Sequence, residues 1–200
     1  MLRVATANRP LPPPGIDPDS YAAALFEDVA EVVYGMAEVD SLVICGPGGS
    51  PAAHSLVWPE VPVLELAEHG LLAAAGVAAG RGYAEAVVVA GDVPDLPALI
   101  LAKAFQALSR SPVAVAPADG GGAVAIGVRL PPPPWLPAVD LDTPAVVAEL
   151  QRAAPRPVQV AVTPGWHRLR TPGDVHQLDP GLEGWEATRA LLSGLRPRGA

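Results

Sequence analysis

The chain has 200 residues, half of them apolar, which suits one domain with a sizeable core and is short for two. The 13 Lys and Arg residues are outnumbered by 21 Asp and Glu residues, and a net charge of −8 without any basic run excludes a typical nucleic-acid-binding protein. The longest apolar stretch, residues 70–80, is far shorter than the ~20 residues of a membrane-spanning helix, so we expect a cytoplasmic protein with no membrane partner.

Short apolar runs alternate with helical patterns through the first half of the chain. A strand is predicted over residues 2–7, followed by a loop over 8–16 and a helix that Asp17 caps, with Pro18 as its first residue. Strands that alternate with helices are typical of a mostly parallel sheet. Further strands are predicted over 41–45, over 61–66 and in the run that ends at Asp92, and further helices over 68–80 and 97–108.

The second half of the chain brings two predicted strands close together. Residues 113–116 and 123–130 are separated only by the turn DGGG at 119–122, which indicates an antiparallel insertion in the sheet. The remaining predictions are a helix over 143–150, a strand over 158–162, a capping-box helix start at 171–174 and a C-terminal helix over 185–192. We therefore predict one α/β domain over residues 1–200, with a mostly parallel, mixed sheet and helices on both faces in three layers.

The most informative segment is AVVVAGDVPDLP at residues 86–97. Its valine-rich run ends at Gly91 and Asp92, which indicates a buried parallel strand with a carboxylate at its C-terminal end. In open α/β sheets, ligands bind at that edge. Asp92 is therefore the first candidate for a functional residue, and the competing interpretation is a cap of the helix that follows.

Three segments, taken in order, carry a resemblance to a known family. They are VVVAGDVPDLP at 87–97, PADGGGAVAIG at 117–127 and WHRLRTPGDV at 166–175. Together they resemble the nucleotide-diphospho-sugar transferase superfamily of GT-A fold, and within it the small bacterial glycosyltransferase-like family labelled selenodomain-associated transferase. The resemblance implies a Rossmann-like nucleotide-binding fold over most of the chain.

The same resemblance implies a site and a reaction. It implies transfer of a glycosyl or nucleotidyl group from a nucleotide or sugar nucleotide, with Mg²⁺ or Mn²⁺ held by Asp92 at the end of the fourth strand. Such a metal would neutralise charge on the diphosphate leaving group. Asp92 and Asp119, the latter aligned with a family glutamate, are the catalytic candidates. The expected substrate-binding residues are Arg9, Gly91, Gly120, Gly121, Trp166, His167, Arg168 and Arg170.

The sequence departs from the family pattern in three places. The family's basic loop after the first strand, KxPxPGxxKTR, corresponds to NRPLPPPGID at residues 8–17, where only Arg9 is basic. A family aspartate falls on Gly120. In the final turn, a family DxDTP becomes RLRTP, so Arg168 and Arg170 replace two carboxylates and would repel Mg²⁺. The two arginines could instead hold a phosphate directly, without a metal.

Several candidates also have a purely structural interpretation. Asp95, Asp140 and Asp142 lie near helix starts and are favoured as caps. Asp119 is a candidate turn residue on the surface, and His167 a histidine with a satisfied structural role.

Three functional hypotheses remain open at this stage, and the sequence does not decide whether the protein is an enzyme. The leading hypothesis is a metal-dependent glycosyl- or nucleotidyltransferase. The second is a degenerate family member that acts as a nucleotide-binding or protein-interaction module. The third is an assembly role, for example as a homodimer that uses apolar surface near Trp135 and the proline run at 131–134.

Overall fold

A seven-stranded mixed sheet forms the centre of the protein. The computed structural model describes the backbone of residues 2–3 and all of residues 9–67 and 70–194. The strand order is β3-β2-β1-β4-β6-β5-β7, and β6 is antiparallel to both of its neighbours while the other pairs are parallel. The strands are β1 (Leu2–Arg3), β2 (Val43–Cys45), β3 (Val63–Glu65), β4 (Glu85–Val89), β5 (Val113–Pro117), β6 (Ala123–Arg129) and β7 (Val160–Val162).

The described residues form six α-helices around this sheet, and the mixed α/β architecture confirms the predicted fold class. They are α1 (Pro18–Tyr34), α2 (Ser50–His54), α3 (Leu71–Gly80), α4 (Ala98–Leu108), α5 (Val146–Ala153) and α6 (Glu186–Ser193). The Asp17 carboxylate accepts the Ser20 N–H at 2.9 Å, and Pro18 begins α1, as predicted. Within the described part of the chain, no helix combines the length and the apolar character needed to cross a bilayer.

The main core lies around β4, β5 and β6, whose inward residues are small or β-branched. This composition lets α4 approach the sheet closely. A Cβ atom added at Gly127 of β6 would lie 3.1 Å from Leu108 Cδ1 and 3.3 Å from Val87 Cγ2, so a side chain here would have to push these two neighbours aside by a few tenths of an ångström.

A second, smaller core joins α1 to α6. Tyr21, Leu25, Leu169 and Trp185 are buried together there. The buried Asp28 carboxylate of α1 accepts the backbone N–H groups of Ala187 and Thr188, each at 2.9 Å, and so caps the first turn of α6. Burial raises the pKa of Asp28, and these hydrogen bonds oppose the rise.

The element boundaries differ from the predictions in a few places. The short helix α2 was not predicted, and α5 begins at Val146, later than expected. The predicted helix start at 171–174 has its capping box but forms a 3-10 helix, Pro172–Gln177. Residues 4–7 of the predicted first strand, residue 8 of the loop after it and residues 68–69 of the predicted helix over 68–80 lie outside the described residues.

Candidate functional site

Three distant segments meet at the C-terminal end of β4. The Leu169 N–H donates to Asp92 O at 2.8 Å, which places the segment 166–170 beside the end of that strand. The Asp119 N–H donates to Trp166 O at 3.0 Å, which adds the turn between β5 and β6. The Leu11 N–H donates to Arg170 O at 3.0 Å, so the proline-rich loop before α1 lies here too. The three segments of the family resemblance therefore share one edge of the sheet.

Asp92 forms a buried, bidentate ion pair with Arg168. Arg168 Nε donates to Oδ1 at 2.7 Å and Nη2 donates to Oδ2 at 2.9 Å. The side chains are only 6% and 1% exposed, respectively. Two parallel charge-assisted bonds between planar groups are the strongest form of such a pair. Asp92 is thus neither a helix cap nor a free carboxylate.

A second carboxylate and two carbonyls surround the other side of the same guanidinium. Asp142 Oδ1 lies 2.8 Å from Arg168 Nη1, a close ionic contact without the alignment of a hydrogen bond. Nη1 also donates to Ala123 O at 3.2 Å and Leu141 O at 3.3 Å. Burial lowers the pKa of Arg168, but the charges of Asp92 and Asp142 outweigh it and the net direction is upward. Arg168 is therefore charged and held by protein oxygens on both sides.

The metal site expected at Asp92 stays a prediction, and the geometry around this carboxylate is unfavourable for it. Both oxygens of Asp92 already bind a cation, and a desolvated guanidinium next to them would repel a divalent ion. In the described ranges, no three His, Cys, Asp or Glu side chains are grouped as metal ligands. The residues present do not fit Mg²⁺ or Mn²⁺ at Asp92, and no step of a reaction is assigned to such an ion.

Arg170 differs from Arg168 in keeping donors without partners. Its side chain is 30% exposed, and Nη1 donates to Gly121 O at 2.9 Å. Among the described residues, no acceptor hydrogen-bonds to Nε or Nη2, and Nη2 lies 3.8 Å from Asp142 Oδ1. Burial and the charge of Arg168 lower the pKa of Arg170, although an arginine stays protonated at neutral pH. Arg170 therefore has N–H groups that could donate to a further anionic oxygen.

The glycine turn packs tightly against the segment that carries Asp142. Gly120, Gly121 and Gly122 have φ values of +77°, +105° and +77°. A Cβ atom at Gly122 would lie 2.5 Å from Leu141 O and 2.8 Å from Arg170 Nη2, whereas one at Gly120 would meet nothing within 4 Å. The turn therefore needs glycine at 122 for close approach, whereas a side chain at position 120 would meet open space.

Asp95, Trp166 and His167 form a separate buried cluster beside this edge. Trp166 Nε1 donates to Asp95 Oδ1 at 3.0 Å, and His167 Nε2 lies 3.0 Å from the same oxygen. The Trp166 and His167 rings stack with centroids 5.1 Å apart. Asp95 was favoured as a helix cap, which is wrong, because α4 begins after Pro97 with no side-chain cap.

The remaining predicted residues lie at the rim. Asp119 is exposed, and Gly91 is half-buried next to Asp92. Arg9 forms an exposed ion pair with Asp19 of α1. Nothing in these positions tests whether they contact a substrate, so their roles stay predictions.

Two residues of the site were not predicted for the roles they have. Asp142, favoured as a cap of α5, instead contacts Arg168, because α5 begins only at Val146. Tyr21 is buried beneath the site, where burial and the charges of Asp174 and Asp92 raise its pKa to about 12. The position of Asp142 near a helix start favours a cap, and helical spacing alone gives no sign of the Tyr21 environment.

A family model matches residues 40–143, just over half of the chain, and its description is "Uncharacterized protein conserved in bacteria (DUF2064)". The chain belongs to the DUF2064 family. The matched range of this DUF2064 protein contains Asp92, the glycine turn and Asp142 but ends before the two arginines. No curated protein matches the sequence.

Solved structures share the fold at low sequence identity. A protein from Desulfovibrio desulfuricans G20, provisionally assigned as a nucleotide-diphospho-sugar transferase, has a TM-score of 0.66 and 19% identity over 96% of each chain. A CMP:2-keto-3-deoxy-manno-octonic acid synthetase, solved with CTP, has a TM-score of 0.59 and 12% identity over 97% of this chain and 98% of its own. Rv0371c from Mycobacterium tuberculosis, solved with manganese, has a TM-score of 0.51 and 17% identity over 96% of each chain. The fold of this DUF2064 protein is thus that of the GT-A-like transferases, as the sequence resemblance implied.

Proposed function

We propose that this DUF2064 protein binds the phosphates of a nucleotide or sugar nucleotide at the C-terminal end of β4, without a divalent ion at Asp92. The observation that carries the proposal is the division between the two arginines. Arg168 is saturated by protein oxygens, while Arg170 retains Nε and Nη2 donors with no acceptor in the described structure. Buried donors without partners are costly, and an anionic oxygen would satisfy them.

The two guanidiniums disfavour a metal ion at this site. Asp92 and Asp142 are balanced by Arg168 and Arg170, so the four groups carry no net charge. A divalent cation would add positive charge next to two guanidiniums. A diphosphate can instead draw Arg170 away from the Gly121 carbonyl, since a charge-assisted bond is about twice as strong as a neutral one.

We propose a nucleotide-binding protein of transferase type. In this protein, arginine side chains neutralise the negative charge of the diphosphate in place of a metal ion. Positioned arginines and metal ions both stabilise charge on a leaving phosphate group. The similarity to a fold solved with CTP supports a nucleotide as the ligand class, and coverage of 96–98% of those chains supports a single domain over residues 1–200. This proposal stands closer to the second sequence-based hypothesis than to the metal-dependent first.

The assembly hypothesis has less support from the structure. Trp135 is half-buried and packs against the main core instead of projecting from the surface where a homodimer was expected. The homodimer therefore stays a prediction.

Calorimetry with nucleoside di- and triphosphates and sugar nucleotides, in EDTA and separately in Mn²⁺, tests the proposal. We expect binding of at least one of them in EDTA, with the same affinity in Mn²⁺. At a ligand concentration of 100 times Kd, bound ligand should stabilise the protein by about 2.7 kcal/mol.

A matched pair of variants locates the binding. Arg170→Ala should weaken it by roughly 10- to 100-fold, because a hydrogen bond to a charged group contributes about 1.5–3 kcal/mol. Arg110→Ala removes an exposed arginine between α4 and β5, at the opposite edge of the sheet, and should leave the affinity unchanged. Absence of binding by every nucleotide at millimolar concentration, or binding only in Mn²⁺, would refute the proposal.

A further inference from the structure

The surroundings of the Arg168 guanidinium, taken as a whole, have the composition of a cation-binding shell. Arg168 Nη1 faces Asp142 Oδ1 at 2.8 Å, Ala123 O at 3.2 Å and Leu141 O at 3.3 Å. The same guanidinium is bound on its other side by both oxygens of Asp92. Two carboxylates and two backbone carbonyls are the hard oxygen ligands that Mg²⁺, Mn²⁺ and Ca²⁺ take in proteins.

We propose that Arg168 is a built-in replacement for a divalent cation, and that the chain without this guanidinium binds such an ion between Asp92 and Asp142. The inference rests on the ion-pair geometry alone and needs no nucleotide. Asp92 and Asp142 share the same positive group, which lies within 2.9 Å of both carboxylates.

The neighbouring elements show why the side chain holds this position. Leu169 is fully buried in the core between α1 and α6, and its N–H donates to Asp92 O at 2.8 Å. The backbone next to Arg168 is therefore fixed, and its side chain is only 1% exposed. No rotation into solvent is available to it without breaking these contacts, so in the wild-type protein the guanidinium excludes a metal permanently.

Removing the guanidinium leaves the oxygens in place with their charge uncompensated. The carboxylates of Asp92 and Asp142 belong to different segments that are each anchored independently, by the end of β4 and by the close packing of residues 141–144 against the glycine turn. Two negative charges in a buried space attract a divalent ion far more strongly than exposed carboxylates do. Arg170, half-exposed and 3.8 Å from Asp142, remains on one side only.

The experiment is a titration with Mn²⁺, whose paramagnetic resonance signal disappears when the ion is bound, in the absence of any nucleotide. Wild-type protein and Arg168→Lys, which keeps a cation, should bind no Mn²⁺ at this site up to millimolar concentration. Arg168→Ala and Arg168→Gln should each gain one site, with an affinity on the order of tenfold or more above any wild-type binding. The Gln variant fills the space with a neutral group and guards against loss of folding.

A double variant assigns the gained site to these residues. Arg168→Gln/Asp142→Asn should lose most of the Mn²⁺ binding, whereas Arg168→Gln/Glu31→Gln, which alters an exposed carboxylate near the C-terminal end of α1, should keep it. Mn²⁺ bound by the wild-type protein at this site would overturn the proposal. So would the absence of a gain in both Arg168→Ala and Arg168→Gln, including the case in which both stay unfolded in Mn²⁺. Because no nucleotide is present, these results are independent of the nucleotide-binding proposal.

Discussion

Replacing Asp92 by alanine tests the energetic consequence of the buried ion pair. The change removes two hydrogen bonds, of 2.7 and 2.9 Å, from a guanidinium that is 1% exposed. Breaking a buried pair from one side costs about 3–5 kcal/mol, because the other charge stays buried. Asp142 and two carbonyls still contact Arg168, so we expect the lower end, about 3 kcal/mol.

Urea denaturation at pH 7, followed by far-ultraviolet circular dichroism, measures this loss of unfolding free energy. In a protein of this size, about 3 kcal/mol corresponds to a decrease in Tm of about 6–12 °C. Asp119→Ala, at an exposed position of the same edge, is the matched control and should change the free energy by less than about 0.5 kcal/mol. The double variant Asp92→Leu/Arg168→Met should regain only part of the loss, because removing Arg168 leaves Asp142 and two carbonyls without the guanidinium that contacts them. A loss below about 1 kcal/mol for Asp92→Ala, the range of a solvated surface pair, would refute the reasoning.

Three further predictions concern the surroundings of the site. The folded state raises the pKa of Tyr21 from 10.0 to about 12 and so holds the phenolic proton more tightly than the unfolded state does. The unfolding free energy should therefore fall between pH 10 and 12 by up to about 2.7 kcal/mol. Tyr21→Phe should lack this decrease in a series of denaturation experiments at alkaline pH, and an equal dependence on pH in both proteins would contradict the prediction. Gly122→Ala should lower the unfolding free energy measured in urea by about 2 kcal/mol or more, because the new Cβ would clash with Leu141 O at a φ of +77°. In Gly120→Ala the Cβ meets open space, so this variant should lose about 1 kcal/mol. Equal losses in the two variants would be evidence against the close packing at Gly122. Asp28→Ala removes the cap of α6 and should lower the unfolding free energy by about 1–2 kcal/mol, a result that thermal unfolding can check and that a neutral effect would disprove.

The sequence predicts the sheet well because its signals are local. The valine run of β4 and the alternation of strands and helices depend on neighbouring residues, and the turn DGGG marks the antiparallel pair β5–β6 by itself. The ends of elements are less predictable. Three aspartates near helix starts were expected to cap, yet Asp142 contacts Arg168 and Asp95 contacts Trp166, because tertiary partners compete for the same carboxylates.

The site shows the limit of reading residues one at a time. Asp92 and Arg168 are separated by 76 positions, and no periodicity connects them. The useful signal in the sequence is that Arg168 and Arg170 replace two family carboxylates, which predicts repulsion of a metal ion. The sequence does not predict that Arg168 forms an ion pair with Asp92. That pairing follows only once the sheet places the two segments side by side.

Leu169 sits between the two arginines in sequence and belongs to the core of α1 and α6, together with Tyr21, Leu25 and Trp185. The side chains of this extended segment therefore point to opposite sides. Leu169 packs in the hydrophobic cluster, Arg168 binds Asp92 and Arg170 binds the glycine turn. Any change that loosens the C-terminal helix frees this anchor as well. The geometry of the Asp92–Arg168 ion pair is thus set partly by a hydrophobic cluster on the other side of the segment.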